Sequence, residues 1–230
     1  MRRVLLGTPA HDGKVDALFL QSLLETVKMA PHFDVLIHPV QIAYDALVQR
    51  ARNDLVAMAL EAKVDDLIFM DSDQEWDPAW IFQLLNHPVD VVGGVVPKKS
   101  DIALFNVKKL PGEMKVEENG LMEVEAVGTG FLRISQRALQ AVWDMSEPYE
   151  EDDRPGEKRM IFDLKVVDRK LVSEDNVFCH KWRSLGEKVW VDPTMTCNHV
   201  GVKKYGGNFL EFLRALSEVQ VVPQEETQQE

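Results

Sequence analysis

The sequence predicts an α/β fold: a mostly parallel central sheet flanked by helices, with a small antiparallel portion in its second half. Three observations lead there. Residues 1–100 alternate short apolar runs with longer stretches of helical spacing, the pattern of parallel strands joined by crossover helices. One apolar run, Leu67-Ile68-Phe69-Met70, passes straight into Asp71 and Asp73, as a buried strand does when it ends at a ligand-binding sheet edge. Beyond residue 100 the chain changes to strand-like runs around charged, Pro-Gly-containing turns, which suits antiparallel pairing.

Taken in order, residues 4–7 form a first strand that ends at Thr8-Pro9, and residues 15–29 a helix with Leu18, Leu23, Leu24 and Val27 at helical spacing. Residues 34–40 form a second strand. A long helix is predicted over 42–62, where Ala43, Leu47, Ala51, Leu55 and Ala59 recur as one stripe. The strand 67–70, a short helix at 78–85 and a buried strand at 90–96 complete this half. Residues 102–107 and 121–127 read as strands, and Gly128-Thr129-Gly130 leads into a strand at 131–134 and a helix at 136–143. The acidic stretch 146–159, with Pro148, Pro155 and Gly156, reads as a surface loop, and 160–172 as further strand. A helix over 174–185 is closed by Gly186, a last strand covers 189–191, and Gly206-Gly207 precede an amphipathic helix at 209–219. The expectation is one domain over 1–220, made of two halves at 1–100 and 101–220. Residues 221–230 are expected to form a disordered polar tail.

Composition narrows the function classes. The chain has 230 residues, 45% of them hydrophobic, enough for a substantial core. Its 26 basic and 38 acidic residues give a net charge of -12, which argues against a nonspecific DNA-binding surface. Cys179 and Cys197 make no disulfide framework and fit a reducing compartment. No apolar run approaches the roughly 20 residues that span a bilayer. The basic-then-apolar start is too short for a signal peptide, so a soluble, cytoplasmic protein is expected.

The chemistry centres on Asp71-Ser72-Asp73. Along an extended backbone, residues two apart point the same way, so the two carboxylates project together from the strand end. Hard oxygen ligands of this kind suit Mg²⁺ or Mn²⁺. The other reading is ordinary turn chemistry, with Asp77-Pro78 opening a helix just downstream. A zinc site from Cys179, His180, Cys197 and His199 is disfavoured by spacing. Adjacent Cys and His on a helix point apart, and Cys-x-His is not a usual knuckle.

Several segments together resemble family-2-type glycosyltransferases of the GT-A fold. Ala51-Arg52-Asn53 on a helix before Phe69-Met70-Asp71-Ser72-Asp73 is similar to their donor-binding half. Ser173-Glu174-Asp175 opening a helix that ends in Leu185-Gly186, then Val189-Trp190-Val191-Asp192-Pro193 and His199, is similar to their second half. Gly128-Thr129-Gly130-Phe131-Leu132 resembles the glycine-rich acceptor-side segment. The resemblance runs from about Val4 to Val202, and the chain looks like the compact version that bacteriophages encode. It departs where Lys181 stands for a frequent Arg and Ser173 for a frequent Gly. It also lacks the Gln-x-x-Arg-Trp of processive synthases.

The resemblance implies transfer of a sugar from a nucleoside-diphosphate sugar, with a UDP-sugar favoured, to an acceptor hydroxyl on a glycan, small molecule, protein or modified DNA base. It implies Asp73 as the direct metal ligand, Asp71 assisting it or touching the ribose, and His199 as third ligand. An imidazole beside carboxylates leans the cofactor towards Mn²⁺ over Mg²⁺. It implies Asp175 as general base of an inverting reaction, with Glu174 positioning the acceptor. Ser173 capping the helix, and the acids sitting at the positive end of its dipole, is the structural reading of the same residues. Thr8, Pro9, Arg52, Asn53 and Ser72 fall to the donor, Arg52 and Asn53 either touching it or bracing its loop; Arg52 lies one residue off the buried stripe, so a simply solvated side chain is the alternative reading. Gly128, Thr129 and Gly130 fall to the sugar or acceptor, or form a tight turn. Lys98, Lys99, Lys203 and Lys204 are within reach of phosphates or form a solvated face. A nucleotidyltransferase shares the sheet-end carboxylate logic, but residues 7–14 make a poor version of its Gly-rich basic loop. A non-catalytic nucleotide-sugar binder is opposed by the presence of both carboxylates, the Glu-Asp pair and the histidine.

Overall fold

The computed structural model describes residues 1–102, 104–112, 114–152 and 154–219; the expected tail at 221–230 lies outside them. Strand β1 (Arg2–Ala10) leads to helix α1 (Ala17–Met29), whose N-terminus is capped by the Asp16 carboxylate accepting from the Leu18 N–H at 2.8 Å. A 3₁₀ turn at Ala30–Phe33 precedes β2 (Val35–Ala43) and α2 (Val48–Glu61). Then come β3 (Asp66–Met70), the short β4 (Gln74–Glu75), α3 (Pro78–Asn86) with its Asp77 cap, and β5 (Val91–Val95). The second half holds β6 (Val107–Lys108), β7 (Met122–Val124), β8 (Ala126–Val127), β9 (Phe131–Ser135) and α4 (Gln136–Met145). Two hairpins follow, β10 (Pro148–Glu151) with β11 (Arg154–Arg159), and β12 (Lys165–Val167) with β13 (Lys170–Val172). Helix α5 (Glu174–Ser184), strands β14 (Val189–Thr196), β15 (Asn198–Val200) and β16 (Lys204–Tyr205), and helix α6 (Phe209–Val219) complete the described chain.

The central sheet has seven strands in the order β2-β1-β3-β9-β5-β14-β7. Strands β2, β1, β3, β5 and β14 run one way, while β9 and β7 run against them. Both faces are covered, which is why β3 is buried along its whole length and apolar from Leu67 to Met70. Its side chains alternate. Leu67 and Phe69 join a core with Leu55 of α2, Leu139 of α4 and Phe178 of α5. Ile68 and Met70 join the opposite core with Phe19 of α1 and Phe82 of α3. At the amino end of β3, the fully buried Asp66 accepts from Arg2 of β1 and Arg133 of β9, each at 2.6 Å, pinning the reversed strand into place.

Several expected boundaries are corrected. The helix expected over 42–62 begins only at Val48, because β2 stays in register with β1 as far as Ala43. The chain then turns at Tyr44, with φ of 62°, and at Asp45, whose carboxylate accepts from the Leu47 N–H at 2.9 Å. The strand expected at 102–107 is reduced to β6 and a single Pro97–Phe105 bridge. The loop expected at 146–159 is the β10–β11 hairpin. Strand 189–191 extends to Thr196 and is not the last, since β15 and β16 follow it. Among the described residues no helix is long and apolar enough to cross a membrane.

Candidate active site

The carboxyl ends of β1, β2 and β3 open onto a cleft of about 390 Å³, lined by Pro9, Arg52, Asp71, Ser72, Asp73 and His199, among others. This is the edge at which open α/β sheets take ligands. Asp71 to Asp73 reach it because β3 ends at Met70. His199 reaches it from far along the chain, because β15 pairs antiparallel with β4 and sets His199 opposite Gln74.

Asp73 and His199 meet there, with Nε2 3.3 Å from Oδ2. The other ring nitrogen, Nδ1, lies 2.8 Å from the Pro97 carbonyl oxygen. A carbonyl only accepts, so Nδ1 carries a proton and donates it, and Nε2 turns its remaining valence towards the carboxylate. Second-partner bonds of this kind fix the orientation of metal-ligating histidines. Burial disfavours the charged ring, but the Asp73 carboxylate and Pro97 carbonyl outweigh it and raise the His199 pKa. Burial likewise works against the Asp73 carboxylate, and His199 and Lys99 outweigh it and lower its pKa.

Asp71 lines the same cleft, but its Oδ1 accepts from Arg52 at 3.2 Å. Arg52 is buried, not solvated, and its other terminal nitrogen pairs with Glu174 at the start of α5. One guanidinium therefore joins the strand-end carboxylate to the Glu-Asp segment. Glu174 and Asp175 do not line the cleft themselves. Asp175 accepts from the Ser173 hydroxyl and, at 2.7 Å, from the Asn176 N–H. Ser173 stands at the N-cap position, yet its hydroxyl goes to Asp175 and makes no cap bond to the backbone.

Other expected residues have local jobs. Asn53 is fully buried and braces α2 against Phe162, giving to its carbonyl at 3.0 Å and accepting from its N–H at 2.8 Å. Thr8 is buried within β1, while Pro9 reaches the cleft. Gly128 and Gly130 leave room for neighbours: a Cβ on Gly128 would collide with the Asn106 amide, and one on Gly130 with the Gln74 amide and Asp71 carboxylate. Thr129 between them is buried. The four zinc candidates are apart. Cys179 packs against the Val127 carbonyl, His180 faces Glu125, and Cys197 lies in the core on the other side of the sheet.

Among the described residues no three His, Cys, Asp or Glu side chains form a ready metal cage. The Asp73–His199 pair nonetheless fits a divalent cation. Two ligands at adjacent corners of an octahedral ion with bonds of about 2.1 Å stand about 3 Å apart, close to the 3.3 Å seen here.

One residue in this region lies beyond the sequence expectation, and another has a partner there that the sequence does not give. Asp45 lines the cleft and holds Arg50 and Arg154, partners 5 and 109 residues away that no local spacing announces. Lys99 sits directly on Asp73, with Nζ 2.6 Å from Oδ2.

No protein-family model matches the chain, and no curated protein matches it by sequence. Among solved structures, the fold is similar to that of A197 from STIV, with a TM-score of 0.59 and 20% identity over 90% of this chain and 89% of that one. At that identity the likeness is one of fold alone. S. aureus TarS 1-349 overlays at 0.46 with 12% identity, covering 98% of this chain and 67% of that one. Mannose-1-phosphate geranyltransferase from Thermus thermophilus overlays at 0.42 with 11% identity, covering 98% and 81%. These two overlays are too loose to carry an argument. The fold class is the one expected, a mostly parallel α/β sheet of GT-A type with small antiparallel additions.

Proposed function

We propose that this chain is a cytoplasmic, metal-dependent glycosyltransferase that moves a sugar from a nucleoside-diphosphate sugar, a UDP-sugar by preference, to an acceptor hydroxyl. The observation that carries the proposal is the meeting of Asp73 and His199 at 3.3 Å in a cleft at the carboxyl end of a parallel sheet. Asp73 and His199 would hold Mn²⁺ or Mg²⁺, with Asp71 beside them. Bound there, the cation neutralises charge that develops on a leaving diphosphate. Arg52 holds Asp71 and Glu174 in fixed relation, so that donor and acceptor sides keep their spacing. Asp175, at the amino end of α5 and outside the cleft lining, would take the proton from an acceptor hydroxyl entering from the α5 side, which the Arg52–Glu174 pair ties to the cleft. Attack opposite the leaving group with such a base gives inversion at the anomeric carbon.

The test is thermal unfolding with UDP, GDP, ADP, CDP and TDP, with and without Mn²⁺, together with donor hydrolysis. The expected outcome is metal-dependent stabilisation by one nucleotide, a melting rise of about 5–10 °C at roughly one hundred times Kd. Asp73→Ala is expected to lose both that rise and hydrolysis. A chain that no nucleoside diphosphate stabilises, with or without metal, would remove the donor assignment.

A further inference from the structure

Lys99 follows β5 in the segment leading to β6, and its ammonium shares one oxygen with the imidazole. Asp73 Oδ2 lies 2.6 Å from Lys99 Nζ and 3.3 Å from His199 Nε2. The lysine stem is laid over Gly201, where an added Cβ would stand 3.3 Å from Lys99 Cδ. A side chain at that position would crowd the stem, so the bare glycine helps aim the ammonium inward. The neighbouring lysines behave differently. Lys203 pairs with Asp101, and Lys204 with Glu75 at 2.6 Å, so neither is on the cleft carboxylate. Lys99 is half-exposed, and its flexible four-carbon stem lets the head swing without moving the backbone.

A divalent ion and an ammonium compete for one carboxylate oxygen. A divalent ion between Asp73 and His199 would repel an ammonium held within bonding distance of the same oxygen. We propose that Lys99 is the resident cation of the site. It neutralises Asp73 whenever no divalent ion does, is driven off that oxygen as the metal binds, and then pairs with the diphosphate that arrives with the metal. This rests on the nucleotide-sugar reading above and adds a competition step to it. A lysine used this way makes metal alone bind weakly and metal with nucleotide bind well, so the two ligands cooperate through one side chain.

The test measures binding without turnover. Mn²⁺ affinity is read from the electron paramagnetic resonance of free Mn²⁺. Nucleotide affinity in the presence of Mn²⁺ is read by calorimetry, using the diphosphate that wild type binds tightest. Lys99→Met keeps the length and removes the charge. It is expected to bind Mn²⁺ alone about tenfold more tightly, with the gain shrinking as salt rises. The same variant is expected to bind the nucleotide about tenfold more weakly. Lys99→Arg, which keeps a charge, is expected to restore most of the nucleotide affinity. If wild type binds nucleotide with Mn²⁺ and Lys99→Met matches it in both measurements, the displacement idea is overturned and the site reading stands. If Lys99→Met loses Mn²⁺ affinity, Lys99 organises the metal site rather than competing for it, and the idea is again overturned. If wild type binds neither Mn²⁺ nor any nucleoside diphosphate, the site reading falls and this inference falls with it.

Discussion

Arg52 is the side chain through which the strand-end carboxylates feel the start of α5. Its guanidinium gives one nitrogen to Asp71 and another to Glu174 from a buried position on α2. The planar fork reaches the two carboxylates from separate nitrogens, a geometry the single-nitrogen lysine head does not reproduce, so Arg52→Lys is not a conservative change. It is expected to cost about 1–3 kcal/mol in urea unfolding, because one carboxylate is left without its buried partner. Turnover should fall more than donor KM changes, since the residue positions other groups. A variant with wild-type stability and kcat would show that the fork is dispensable. Sequence spacing puts this arginine one place off the apolar stripe and leaves its burial open. The burial depends on partners 19 and 122 residues away, which helical periodicity does not encode. The Asp71–Asp73 pair is legible in its place and not in its geometry: β3 ends at Met70, a turn closed by the Gln74 N–H on the Asp71 carbonyl follows, and both carboxylates reach the cleft from that turn, not by strand alternation. Asn53 is legible only as one of two options, and geometry selects the brace.

At the scale of elements, the β10–β11 hairpin shows how charge substitutes for an apolar anchor. A two-stranded hairpin is marginal by itself. This one is tied to the turn before α2 and to α2 itself by ion pairs. Arg154 reaches Asp45 at 2.7 Å and Asp54 at 2.8 Å, and Lys158 reaches Asp54 at 2.9 Å. That explains why 146–159 looks like a loop in sequence: its Pro, Gly and acidic residues carry turn signals, while the pairing that orders it is long-range. The helix start at Val48 is hidden because the apolar residues Ile42 and Ala43 fit a helical stripe as well as they fit β2. Helix α6, strongly amphipathic and preceded by glycines, lies at the bounds its spacing predicts. Asp45 makes the latch testable by pH. Burial alone would raise its pKa, but hydrogen bonds from Arg50, the Leu47 N–H and Arg154 outweigh burial and lower it from 3.8 to about 2. A carboxyl lowered on folding contributes stability that is complete above its unfolded pKa and is lost as pH falls through the folded one. The contribution is about 2 kcal/mol. Urea unfolding of wild type and Asp45→Asn should therefore differ by about that amount near neutral pH, and the gap should close between about pH 4 and about pH 2. A gap that persists unchanged down to about pH 2 would mean the latch does not depend on the ionised Asp45.

The whole molecule is held together by an interleaving that chain order conceals. Strand β9, from the second half, lies between β3 and β5 of the first, and β14 extends the sheet beyond β5. Alternating strand and helix in residues 1–100 announces a parallel sheet, but nothing local says which later strand enters it, or in which direction. The consequence is thermodynamic. Without β9, the buried strands β3 and β5 lose their mutual neighbour and its hydrogen bonds. Leu132 and Ile134 also vanish from the core that holds Leu55 and Phe69. Residues 1–100 therefore cannot keep a complete core when the second half unfolds, and the two halves are expected to unfold together. The two halves expected from sequence are then expected to behave as one cooperative unit. Urea unfolding followed by far-ultraviolet circular dichroism and by tryptophan fluorescence should give coincident single transitions, as two-state domains do. Trp76 reports from the core that holds α1 and α3, and Trp182 from the opposite core with α2, α4 and α5. Variants retaining fluorescence from only one of them should share the same midpoint. Separated midpoints for the two reporters would mean that the cores melt independently, despite the strand wedged between them.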